Sequence, residues 1–175
     1  MMNKCKYLIL LLSLFIFACK EALKQQQVEI SKQEMKRSME AANRYLLTEE
    51  QEEIERYVQR HGLEMVQTGT GLRYQIVKQG TGKQINKGDE VCLDYRLSSL
   101  KGELFYSSEE DGAKTFRVGE GGAESGLDEA MAYLHYGDVA KLIIPYHLAY
   151  GLHGDDNRIP GYATLVYTIK IIENQ

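Results

Sequence analysis

Glycine and proline are missing from the first 61 residues. All sixteen glycines lie at or after Gly62, and the two prolines, Pro145 and Pro160, lie later still. A stretch without either residue has nothing to punctuate tight turns, so it reads as helix or tether, and turn-rich β structure is confined to the remainder of the chain. Long apolar runs are missing too. The most apolar run, residues 7–17, is broken only by Ser13 and falls short of the span, about 20 residues, that a membrane-crossing helix needs. No block of basic residues and no basic–aromatic stripe occurs. With 21 Lys+Arg against 25 Asp+Glu and a net charge of −4, nothing calls for a nucleic-acid partner. Cysteine is scarce, at three residues, and histidines His135, His147 and His153 lack metal-ligand spacing.

What is present at the N-terminus is a basic pair, Lys4 and Lys6, ahead of that apolar run and of Ala18-Cys19. This order suits a cleaved signal peptide over residues 1–18. Ile16-Phe17-Ala18-Cys19 resembles a bacterial lipobox. The resemblance implies that Cys19 becomes the lipidated first residue and ties the mature chain to a membrane in the cell envelope. Lys20 stands where an aspartate would retain the protein at the inner membrane, which favours the outer membrane. Cys92 is then the only free thiol, and no intrachain disulfide can form.

Residues 19–47 are rich in Lys, Glu and Gln and read as a charged helical tether, with Ser31 and Glu34 as a capping box. Met35, Met39, Ala42 and Leu46 make a thin stripe, read as a spacer face. Thr48 and Gln51 form a second capping box, opening an amphipathic helix over 48–62. There Ile54, Tyr57, Val58 and His61 share one face and Gly62 marks the stop. Residues 63–175 carry strands expected near 64–67, 72–78, 90–98, 104–106, 115–118, 138–144 and 163–173. Val91, Leu93, Tyr95 and Leu97 point inward on one of them, and Leu165, Tyr167, Ile169 and Ile171 on another. One helix interrupts the strands, with Leu127, Ala130, Met131 and Leu134 on its face and Gly126 and Gly137 at its ends. The expected fold is α+β, a curved antiparallel sheet wrapped on one short helix. Tyr150, from a loop, and Tyr167, from a strand, are expected to meet at one apolar hollow suited to a proline ring.

Several short pieces occur in a characteristic order: Gly80-Thr81-Gly82, Val91-Cys92-Leu93-Asp94-Tyr95, Phe105 before Ser107-Ser108, Phe116-Arg117-Val118-Gly119, Gly126-Leu127-Asp128, Ala149-Tyr150-Gly151 and Ile159-Pro160. This series resembles the FKBP-type peptidyl-prolyl isomerases, and the helical leader with its lipobox resembles the gliding-motility-associated lipoproteins among them. The resemblance implies rotation about X–Pro bonds of exported proteins, without cofactor or metal. It assigns Tyr95, Phe105 and Tyr150 to catalysis, with the Tyr150 hydroxyl donated to a peptide carbonyl. It gives Tyr106, Phe116, Ala123, Glu124, Leu127, Ile159 and Tyr167 to the substrate cleft, Leu127 as its floor. It also exposes departures. Tyr106 replaces an aspartate, Lys114 an aromatic, Glu124 and Arg158 isoleucines, and Ala123 a bulkier valine. Glu124 and Arg158 either pair across the rim or both point to solvent. A cleft altered in this way leaves two readings open, a folding helper with weakened catalysis and a binding module that clamps a proline-containing segment of an envelope partner.

Overall fold

The computed structural model describes the backbone of residues 2–172 and the side chains of residues 31–172. The expectations for residues 1–18 and for Cys19 concern side chains outside that range. The chain divides into two units, Met1–Glu49 and Glu50–Gln175.

The first helix, α1 (Met2–His61), runs without a break through the second expected capping box. Thr48 turns its hydroxyl back to the Arg44 carbonyl at 2.9 Å, the bond that a threonine makes inside a helix rather than at its start. Helix propensity in a segment lacking Gly and Pro overrides the local cap signal. Within the first unit Met35, Met39 and Tyr45 are exposed.

In the second unit α1 ends as expected at Gly62, whose φ is +59°. The Gly62 N–H reaches the Gln59 carbonyl and the Leu63 N–H reaches Val58, at 3.2 and 3.1 Å. This paired closure satisfies two carbonyls that a helix end otherwise leaves open. Seven strands follow: β1 (Val66–Gln67), β2 (Arg73–Lys78), β3 (Glu90–Ser99), β4 (Leu104–Ser107), β5 (Lys114–Arg117), β6 (Val139–Ile144) and β7 (Leu165–Ile172). All pairs are antiparallel, in the order β1-β2-β6-β7-β3-β4, with β5 also on β3. Two short helices lie between strands, α2 (Ser108–Asp111) and α3 (Ser125–Met131).

The period-two alternation holds where it was expected. Val91, Leu93, Leu97, Leu165, Tyr167, Ile169 and Ile171 are buried in one cluster with Leu127, Ala130 and Met131 of α3. Leu134 is buried with them but lies beyond the helix, which closes at Met131. Gly126 lies within α3 rather than before it, because the helix is pressed onto the sheet there. A Cβ at Gly126 would stand 2.4 Å from Cγ2 of Ile144, an overlap that costs about 1–3 kcal/mol.

The opposite face of the sheet is covered as well. Ile54, Tyr57 and Val58 of α1 pack on Ile143 of β6 and Val166 of β7. Glu50, one turn earlier, is buried and accepts the Tyr146 N–H at 2.8 Å and the Thr164 hydroxyl at 2.5 Å. The last three turns of α1 are therefore a layer of this unit.

Strand β3 is the element that opens a site. Its outer edge is shared: Arg96–Ser98 pair with β4, and Glu90–Leu93 pair with β5. Between the two pairings lie Asp94 and Tyr95, which pair with β7 on their other side but have no strand beside them on this edge. Ser108 fills the gap. Its hydroxyl donates to the Asp94 carboxylate and accepts the Tyr95 N–H at 3.1 Å. The backbone is satisfied and no strand closes over Tyr95.

Candidate functional site

Around the split edge of β3 lies a cleft of about 310 Å³. Tyr95 and Leu97 from β3, Tyr106 from β4, Tyr150 from the loop after β6 and Tyr167 from β7 line it. Each aromatic arrives by a different route. Strand alternation sends Tyr95 and Tyr167 to the same side, with ring centroids 6.0 Å apart and tilted by 48°. A 3-10 turn at Tyr146–Leu148 after Pro145 turns the chain so that Tyr150 joins them.

The hollow is not apolar. Glu124, at the entry to α3, extends its carboxylate to where Tyr150 and Tyr167 meet. Its Oε1 accepts both hydroxyls, at 2.6 Å from Tyr150 and 2.7 Å from Tyr167. Its Oε2 receives the ammonium of Lys114 at 2.9 Å. The Glu124 side chain is 3% exposed and that of Lys114 23%. Burial pushes the Glu124 carboxyl up, but the Lys114 charge and the two donated hydroxyls outweigh it and hold the group below its ordinary value. The phenol of Tyr150 moves the other way, raised by burial and by its bond to Glu124. Tyr167, the more deeply buried, is raised well above the ordinary phenol value for the same reasons.

The expected pairing of Glu124 with Arg158 does not occur. Arg158 grips Asp111 with two bonds of 3.0 and 3.1 Å, donates to the Phe105 carbonyl at 3.0 Å and lies 4.6 Å over the Tyr106 ring. Lys114 takes Glu124 instead, because antiparallel pairing sets it opposite Leu93, an inward position of β3. Tyr106 donates its hydroxyl to Asp155 and accepts from the Asn157 amide at 3.0 Å. Asp155 in turn accepts the backbone N–H groups of Asn157 and Ile159, at 3.0 and 2.7 Å. The polar turn at 155–157 is thereby fastened to one wall of the cleft.

Of the residues expected here, Tyr95, Tyr106, Tyr150 and Tyr167 line the cleft and Glu124 stands directly behind it. Phe105, Phe116, Leu127 and Ile159 are buried in the core cluster, and Ala123 is half-buried against it. Those five support the walls and do not line them. The Tyr150 hydroxyl is already donated to Glu124, so the donor role expected of it toward a peptide carbonyl is taken in this structure. Asp111 and Asp155 were not anticipated. Asp111 is the last residue of the short helix α2, and Asp155 lies in a polar loop whose sequence carries only a turn signal.

Comparison with known proteins agrees with this architecture. The family model of FKBP-type peptidyl-prolyl cis-trans isomerase matches residues 81–172. An FK506-binding protein of Neisseria meningitidis is 32% identical over 104 residues, covering 59% of this chain and 95% of that protein. A probable FKBP-type peptidyl-prolyl cis-trans isomerase FkpA of the same organism is 36% identical over 107 residues, which is 61% of this chain and 39% of the relative. The chain thus spans well under two thirds of the length of that longer relative. Among solved structures, the crystal structure of FkpA from Escherichia coli aligns with 85% of this chain and 71% of that one, at 25% identity and a TM-score of 0.59. That of AtFKBP13 aligns with 65% of this chain and the whole of its own, at 27% identity and a TM-score of 0.61.

Proposed function

The chain belongs to the FKBP-type peptidyl-prolyl cis-trans isomerase family, and from that premise we propose that it turns X–Pro bonds of exported polypeptides in the cell envelope. The observation that carries this reading is the cleft at the split edge of β3, where four tyrosines and Leu97 surround a volume of about 310 Å³. Rotation about an X–Pro bond meets a barrier of about 18–20 kcal/mol and takes tens to hundreds of seconds unaided. Twisting the imide breaks its resonance and lessens charge separation. Ring faces that replace water around it therefore favour the twisted form over the planar one. The step consumes no acid, base or nucleophile. The signal-like segment at 1–18 and the lipobox-like Cys19 support a lipid anchor, and Lys20 supports the outer membrane as its place.

Exchange spectroscopy by NMR on the intact chain with a panel of Xaa-Pro peptides tests the reading. Accelerated cis–trans exchange, reduced severalfold by Tyr106→Ala at the half-exposed wall, is the expected outcome. Unchanged exchange rates at high protein concentration would end it. A second reading has a specific observation behind it. The Tyr150 hydroxyl is spent on Glu124, which suits a clamp that binds a proline-containing segment of an envelope partner without turning it. Peptide-induced shifts with no acceleration would select that reading.

A further inference from the structure

A proline peptide held in this cleft needs one of its carbonyls fixed, and the usual candidate for that donor is already engaged. A phenol has a single proton to give. Tyr150 and Tyr167 both give theirs to Oε1 of Glu124, and Tyr106 gives its own to Asp155. The Arg158 guanidinium is drawn to Asp111 and to the Phe105 carbonyl. Lys114 differs from all of these. Its ammonium carries three N–H donors, one of which goes to Oε2 of Glu124. The side chain lines the cleft and remains 23% exposed there.

On the isomerase reading above, we propose that Lys114 has taken over the donor role, holding the carbonyl of the substrate proline while the preceding imide turns. The carbonyl in question is set by the motion. The X–Pro carbonyl must rotate, whereas the carbonyl of proline itself travels with the ring that the cleft holds, so a fixed donor can grip only the latter. The ligand class is set by the charge. Glu124 neutralises Lys114, so the pair as a whole asks for a neutral acceptor, a peptide carbonyl, and not for an acidic side chain. An ammonium bonded to a carbonyl is also a stronger donor than a phenol. Tyr95, the other cleft-lining hydroxyl with no acceptor among the described residues, offers only a neutral donor. Glu124 is a positioning residue in this scheme, holding Lys114 at the wall and withholding Tyr150.

Two peptides that differ in one atom test the assignment: proline's own carbonyl is an ordinary amide in one and a thioamide, a weaker acceptor, in the other. Dissociation constants from shift titration and exchange rates are measured for both on the intact chain. Wild type is expected to prefer the oxo peptide by about fivefold, the size of one net hydrogen bond. That preference disappears in Lys114→Met, shrinks in Glu124→Gln, which no longer holds the ammonium at the wall, and survives in Lys114→Arg and Tyr150→Phe. A packing defect alone would weaken both peptides alike and leave the ratio intact. The proposal is overturned if the ratio survives Lys114→Met, if it collapses in Tyr150→Phe or Tyr95→Phe, or if wild type shows no preference. If wild type neither binds nor turns the oxo peptide, the isomerase reading itself fails and this inference goes with it.

Discussion

Glu124 shows how one residue can change the character of a site without changing its shape. A carboxylate with 3% of its side chain exposed would ordinarily be costly, yet three donors converge on it and keep it ionised. Its stability contribution has a definite pH dependence. The folded carboxyl is held below its ordinary value of 4.5, so that contribution is complete above 4.5 and is lost as pH falls below it through the folded value. Glu124→Gln is therefore expected to cost about 1–3 kcal/mol at neutral pH, moderated because Lys114 keeps some access to water. Denaturant unfolding of wild type and variant at a series of pH values checks this. The gap should narrow on acidification below 4.5 and stay constant above it. The identity of Glu124 was legible in the sequence as a departure from the family, but its partner was not. Arg158 was the cation expected beside it, and Lys114 is the one that binds it. The choice depended on strand register and on Asp111, thirteen residues from Glu124, claiming the guanidinium first.

At the scale of elements, the inward faces of β3 and β7 could be read directly, because alternation leaves little freedom in which residues meet the core. The packing of α1 on the opposite face was harder to see, although it left two signs. Val166 is apolar at an outward position of β7, and Ile143 stands between Leu142 and Ile144, where one of three consecutive apolar residues must face away from the main core. Ile54, wholly buried against both, should make this layer measurable. Ile54→Ala is expected to lower the unfolding free energy by about 2–5 kcal/mol, as deletion of a buried aliphatic side chain does. Chemical denaturation read by tyrosine fluorescence would show it as a lower midpoint. A loss below about 0.5 kcal/mol would mean that the helix merely rests there. Thr48 misleads for a related reason. A capping signal competes with the helical preference of its neighbours, and a long run without Gly or Pro decides that competition.

For the whole molecule, the division at Glu49–Glu50 places every cleft residue in the second unit. Deleting residues 20–47 is accordingly expected to leave the X–Pro exchange rate per molecule within about twofold of wild type, a difference of less than about 0.5 kcal/mol in barrier. The same NMR assay measures it, and a larger loss would assign the first unit a part in the chemistry. The order of elements and the α+β class were readable because strands, turns and glycines alternate so regularly after Gly62. The cleft was only partly so, since Asp111 and Asp155 matter through contacts that cross 47 and 49 positions of chain.

The buried Glu50 also bears on the timing of folding. Its two hydrogen bonds span 96 and 114 positions of sequence, and the apolar helix face beside it is covered in part by Val166. A chain made from its N-terminus must carry that face uncovered until nearly all of the domain exists. The loop that finally closes is long, and contacts so distant along the chain are slow to form. The first layer laid down is thus among the last to be locked.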